Sequence, residues 1–203
     1  MASDAVPAVV LAAGFSRRLG RPKALVEVNG RPLVAWVVDR LFTAGCLPVV
    51  VVNADIEPHV RSMVPHAPIV VNQDPDAGRT GSLQVGLSFM RERLGYEPER
   101  LVMAPVDRPC WSVDLLATLL TRRGNVAPMH DDRRGHPVVL DAGGIAAVLA
   151  ANANDPLREV VSFNGVPVSG PWLHMNIDTE GDVERLASEG AHLEACFSQG
   201  EGI

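Results

Sequence analysis

The chain has 203 residues, of which 47% are hydrophobic and 4% aromatic, and it carries a formal net charge of -6. That length and apolar content suffice for one α/β domain with an aliphatic core, and the acidic balance excludes broad binding to nucleic acid or to an anionic membrane surface. No segment reaches the roughly 20 consecutive apolar residues that a membrane-spanning helix needs, and the opening residues lack a secretory signal, so the cytoplasm is the expected location.

In chain order, Ala8 to Ala12 is a short apolar run of the kind a strand buried on both faces requires. A helix follows, with Leu33, Val34, Val37, Val38, Leu41 and Phe42 at helical spacing and Gly45 at its end. Val49 to Val52, Ile69 to Val71 and Leu101 to Val106 are further strand-like runs. Between the last two, Leu83, Leu87, Met90 and Leu94 line a helix starting near Gly81-Ser82. Ser112 is placed to cap another helix carrying Val113, Leu116, Leu119 and Leu120. Strands alternating with helices imply parallel crossovers.

After residue 123 this rhythm breaks. Val126 to Met129 and His136 to Leu140, separated by the polar turn at 131–135, read as a hairpin or excursion beyond the parallel sheet. Residues 143–161 read as one or two short helices, broken at Asp155-Pro156, and are expected to form a lid over a second ligand. Thr179 and Asp182 have the form of a capping box opening a last helix. The expected organisation is a single domain over residues 1–190, with a weakly specified tail at 191–203.

The chemistry concentrates in the first loop. There an apolar run stops at Ala13-Gly14 and is followed by Arg17, Arg18, Arg21 and Lys23. Glycine lets the backbone approach a ligand, turn amides can donate to anionic oxygens, and the basic residues can neutralise a polyphosphate. The spacing matches neither a dinucleotide fingerprint nor the Gly-Lys-Ser/Thr ending of an ATPase loop. Asp107 directly follows a strand-like run, at the carboxyl end where open α/β sheets gather ligands; magnesium binding and helix capping are both open readings of it. Cys46, Cys110 and Cys196 are odd in number and widely spaced, which suits neither a zinc site nor a redox pair.

Leu11-Ala12-Ala13-Gly14 followed by Ser16, Arg18, Gly20, Pro22 and Lys23 resembles the signature loop of nucleotidyltransferases, and most closely that of the molybdenum cofactor cytidylyltransferases. Further resemblances lie in Ala104 to Pro109, in Gly78 to Leu83, in Gly135 to Leu140 and in Asn176 to Asp182. The resemblance implies a three-layer Rossmann-like nucleotidyltransferase fold, with a mostly parallel central sheet, helices on both faces and a small β excursion. It implies transfer of a nucleoside monophosphate from CTP, with GTP second, to a phosphorylated small-molecule acceptor, molybdopterin first among them, releasing pyrophosphate. Arg18, Lys23 and Asp107 would be catalytic. Leu11, Ala12, Ala13, Gly14, Arg18, Lys23, Asn72, Gly81 and Ser82 would bind nucleotide, and His136 and Arg158 the acceptor. Asp107 and Asp178 would hold Mg2+, or Mn2+ in its place. A transient contact with a molybdoenzyme or cofactor-delivery protein is also implied.

The chain departs from the family pattern at Val106, where many relatives have glycine, and at Pro156-Leu157, where relatives often have Gly-Ala. These departures keep other readings open: a sugar phosphate acceptor, an NAD(P)H-using oxidoreductase, or a non-catalytic nucleotide-binding protein on the same scaffold.

Overall fold

A computed structural model describes residues 5–189. It opens with β1 (Val6–Leu11), then a small hairpin of β2 (Glu27–Val28) and β3 (Arg31–Pro32) leading into α1 (Leu33–Thr43). Next come β4 (Cys46–Val52), α2 (Glu57–Met63), β5 (Ile69–Val71), α3 (Arg79–Leu94), β6 (Arg100–Pro105) and α4 (Val113–Leu120). The remainder comprises β7 (Val126–His130), β8 (Arg133–Arg134), β9 (Val138–Asp141), α5 (Ala142–Ala150), α6 (Leu157–Val160), β10 (Asn164–Pro167) and α7 (Glu180–Ser188).

The main sheet runs β10-β7-β9-β6-β1-β4-β5, with β8 paired to β7. β1 lies between β4 and β6 and is parallel to both, so three of the four expected apolar runs sit side by side at the centre, with the fourth, β5, at the edge beside β4. The period-two alternation of a strand divides β1 between two cores. Ala8 and Val10 face α1, α2 and α4 through Val34, Val60 and Leu116. Val9 and Leu11 face α3 and α5 through Leu83, Leu87 and Val148. Helices therefore cover both faces, and this is the Rossmann-like arrangement expected.

Three details differ from the sequence reading. β7 and β9 pair antiparallel, as the hairpin reading has it, but they extend the main sheet instead of leaving it. β9 is inserted into it, antiparallel to both β6 and β7, because Val138, Val139 and Leu140 are apolar on both faces and are buried there. The expected lid resolves into two parts: α5 belongs to the core layer through Ile145 and Val148, and only the stretch after it borders a cavity. Helix α3 starts at Arg79, two residues before Gly81, since Gly78 adopts φ +95° and turns the chain there. Helix α2, strand β10 and the β2-β3 hairpin lie outside the expected elements. The tail at 191–203 and Cys196 fall outside the described residues, among which no helix is long and apolar enough to cross a membrane.

Gly86 marks the closest approach of α3 to the sheet. A Cβ there would lie 2.6 Å from Val9 Cγ1 and 2.8 Å from Val9 Cγ2. Gly86→Ala should therefore destabilise the protein by about 1–3 kcal/mol through overpacking, outweighing the roughly 1 kcal/mol that alanine gains over glycine within a helix. Urea unfolding measures the balance, and a stabilised variant would show that the helix can back away from β1.

Candidate active site

The first loop is held at both ends. The Leu11 carbonyl accepts from Val106 N at 3.1 Å, and Ala12 N donates to Val51 O at 2.9 Å. Asn53, buried just beyond β4, donates through Nδ2 to Ala13 O at 3.0 Å and accepts from Ile56 N at 3.2 Å. Past Gly14 the chain folds back on itself. Ser16 takes φ +53°, its carbonyl accepts from Leu19 N and Gly20 N, and its Oγ accepts from Lys23 N at 3.0 Å. The loop therefore delivers Lys23 back beneath the end of β1.

A separate apolar cluster sets what Lys23 meets. Leu19, Val26, Val28 and Leu33 pack against Cys110, Met175, Ile177 and Leu186, tying the first loop to the segment before α7. Ile177 N donates to the Asp107 carbonyl at 3.0 Å, which brings Asp178 beside Asp107. On the far side of Asp107, Arg40 donates to Pro109 O at 2.6 Å and stacks over Trp111, fixing the loop that leaves β6. Two carboxylates 71 positions apart thus converge on one ammonium.

Lys23 Nζ lies 3.3 Å from Asp107 Oδ2 and also bonds Asp178 Oδ1. Arg18 donates to Asp178 Oδ2 at 2.8 Å, and Asn176 Nδ2 bonds the same oxygen. Burial works to raise the Asp178 pKa, but the Lys23 hydrogen bond and charge, Arg18 and Asn176 together outweigh it and hold the carboxyl below its usual range. The other loop arginines also have acidic partners: Arg17 pairs with Asp76 and Arg21 with Glu180, each at 2.9 Å. These pairs are exposed and individually worth about 0–1 kcal/mol, so a polyphosphate can displace them.

This convergence lines a cleft of about 360 Å³ at the carboxyl end of the sheet. Leu11, Ala12, Ala13 and Gly14 form one wall, Arg18 and Lys23 the basic side, Ser82 the opposite wall, and Asp107 with Asp178 the acidic base. Asn72 and Gly81 do not line it. Asn72 stands behind Ser82, donating to its Oγ at 3.1 Å, while Gly81 N donates to Ala153 O at 3.0 Å on the side away from the cleft.

His136 and Arg158 border a second cavity, of about 630 Å³. Arg158 stands at its rim with a side chain 86% exposed, and His136 lies deeper, its Nδ1 buried without a hydrogen-bond partner among the described residues. Burial, aided by the charges of Arg79 and Arg108 and opposed by Asp107, pushes the His136 pKa down to about 4. It is a neutral imidazole near pH 7.

Asn53, Asn176 and Arg79 are absent from the expected site set. Asn53 follows an apolar strand as Asp107 does, and Asn176 lies two residues before Asp178, whose carboxylate it bonds. Both spacings are visible in the sequence. Arg79 lies within the Gly78 to Leu83 segment that carries the resemblance but is not singled out there.

Three comparisons bear on this geometry. A model of the MobA-like NTP transferase domain matches residues 8–168. A nicotine blue oxidoreductase of Paenarthrobacter nicotinovorans is 34% identical over 85% of this chain and 86% of its own length. A molybdenum cofactor guanylyltransferase of Rhizobium rhizogenes is 32% identical over 66% of this chain, and the match spans 61% of that relative. Among solved structures, a Mycobacterium tuberculosis H37Rv protein superposes with a TM-score of 0.76 at 22% identity, covering 93% of this chain and 100% of its own. The fold expectation is borne out, whereas the cytidylyl preference read from the first loop gains no support from a relative named for guanylyl transfer.

The neutral His136 gives a pH dependence of known sign. The unfolded chain binds more protons than the folded one between the unperturbed histidine pKa and about 4. Its contribution is therefore complete above pH ~6.5 and is lost as pH falls toward 4, amounting to on the order of 3 kcal/mol. Denaturant titrations across that window should show this loss in the wild type and a shallower one in His136→Gln; equal slopes would place the acid sensitivity elsewhere.

Proposed function

The chain belongs to the MobA-like NTP transferase family, and from that premise we propose that it transfers a nucleoside monophosphate from a nucleoside triphosphate to a phosphorylated small molecule, releasing pyrophosphate. The observation that carries this reading is the convergence of Lys23 and Arg18 with Asp107 and Asp178 at one end of the first-loop cleft. A triphosphate laid along the loop would take Arg18 and Lys23 as counter-charges, and both would offset the charge that grows on the departing pyrophosphate. The acceptor phosphate is already ionised near neutral pH, so the step needs no protein base: its oxygen bonds the α-phosphorus while the bond to the β-phosphate oxygen breaks.

A divalent cation suits the acidic pair. Asp107 Oδ1 is buried without a hydrogen-bond partner among the described residues, and an oxygen so placed is costly unless a cation or donor satisfies it. Hard oxygen donors of this kind select Mg2+ or Mn2+, which are held by one or two carboxylates together with phosphates. Asp107 and Asp178 would hold the ion, which would supply charge neutralisation at the transferred phosphoryl group. The relative named guanylyltransferase favours GTP as donor and a molybdenum cofactor as acceptor. CTP is the alternative, favoured by the resemblance of Leu11-Ala12-Ala13-Gly14 and Ser82-Leu83 to the cytidylyl branch.

A second reading has its own support, the 34% identity to a protein named an oxidoreductase over most of both chains. On that reading the cleft binds a nicotinamide nucleotide, and the acidic pair has no metal to hold.

Titration calorimetry with GTP, CTP and NADPH, with and without Mg2+, separates the two. Magnesium-dependent GTP binding, lost in Asp107→Ala, is the expected outcome; metal-indifferent NADPH binding would overturn the transferase reading. In a pyrophosphate-release assay with molybdopterin as acceptor, Lys23→Ala should lower kcat/KM by about 10²–10³-fold, and unchanged turnover would remove Lys23 from the mechanism.

A further inference from the structure

Arg79 is the first residue of α3 and borders both cavities, together with Gly78. Among the described residues its only ion-pair partner is Asp107, at 3.7 Å, too long for a good hydrogen bond, and the side chain is 48% exposed. The side chain therefore stands on the shared border of the cleft and the second cavity, with most of its guanidinium donors uncommitted among the described residues.

The second cavity suits an anion with an apolar body. Its walls include Met103, Val138, Leu157, Val161 and Phe163, with the unpartnered Nδ1 of His136 among them. Arg79, Arg134 and Arg158 border it against a single acid, Asp155, whose carboxylate is already taken by the backbone and side chain of Asn152. The charge of Arg79 reaches this cavity, since it helps hold His136 neutral. A positive edge over an apolar interior recognises a molecule whose anionic group stays at the mouth while its body enters.

We propose that Arg79 is the residue that binds the acceptor's phosphate monoester, exchanging its loose contact with Asp107 for a bidentate pair with the phosphate and holding it at the passage to the donor cleft. This assignment rests on the transferase reading and gives the acceptor a chemical class: a phosphate monoester on an apolar or ring-shaped body. The exchange also frees the Asp107 carboxylate from a competing cation as the acceptor arrives. Arg79 is the junction's own residue, whereas Lys23 and Arg18 serve the donor.

Phenyl phosphate is the probe, titrated by calorimetry into the protein saturated with GTP and Mg2+, with inorganic phosphate and phenol as parallel arms. Wild type should bind phenyl phosphate more tightly than either fragment. Arg79→Met, which keeps an unbranched apolar stem and removes the charge, should raise the phenyl phosphate Kd by about tenfold or more, while raising the GTP Kd by less than about threefold. Arg79→Lys should recover part of the loss, because it restores the charge without the fork, and melting curves of both variants check that they fold. Three results would overturn the assignment: no binding of phenyl phosphate to wild type, equal loss of GTP and phenyl phosphate, or phenyl phosphate binding indifferent to Arg79. If wild type fails to bind GTP with Mg2+ and binds NADPH, the transferase reading fails. The same titration, run without nucleotide, then still reports whether Arg79 binds a phosphate monoester.

Discussion

Two carboxylates share one ammonium in this protein: Lys23, Asp107 and Asp178 meet with each side chain only 15–17% exposed. Like charges brought this close out of bulk water repel strongly, and Lys23, with Arg18 on Asp178, offsets that repulsion. The arrangement holds because the surrounding structure fixes every member. Asp107 is set by β6 and by the Arg40 clamp on the loop after it, Lys23 by the Ser16 turn, and Asp178 by the apolar contacts of Met175 and Ile177. The Asp107 oxygen that accepts no hydrogen bond among the described residues is the feature that suits the site to a cation.

The same constraint explains why the first loop is both ordered and adaptable. Its backbone is tied by Asn53 and by strand-end hydrogen bonds, so the amides near Gly14 keep their direction. Its arginines, by contrast, rest on exposed carboxylates at little energetic advantage. Binding an anionic ligand then replaces weak ion pairs with charge-assisted contacts on a backbone that need not reorganise, and preorganisation of this kind favours the charge developed in phosphoryl transfer.

How much of this is legible in the sequence follows from how local each signal is. β1, β4 and β6 read directly, because a strand buried on both faces must be a continuous apolar run. β10 does not, since Asn164-Gly165-Val166-Pro167 has one buried apolar residue and takes its strand form from pairing with β7. β9 reads as a strand but not as a sheet member, because its neighbours are set by topology and not by periodicity. At the site, the loop and both aspartates carry motif-length signals. Asn72 is expected at the ligand and sits one layer behind it, supporting Ser82, because sequence proximity cannot tell a wall from its backing. Arg79 shows the converse: it lies in the Gly78 to Leu83 segment, but that segment does not single it out, and only the structure places it on the border of two cavities.

The central claim is that Asp107 and Asp178 hold a metal which, with Lys23 and Arg18, receives a triphosphate. A crystal structure with Mn2+ and a non-hydrolysable GTP analogue tests it most directly through the anomalous signal of manganese. The account predicts a manganese peak bounded by Asp107 and Asp178, with Lys23 drawn from Asp178 onto the phosphates and Arg18 beside it. A nucleotide bound with no metal between the two aspartates, and with Lys23 still bridging them, would contradict it.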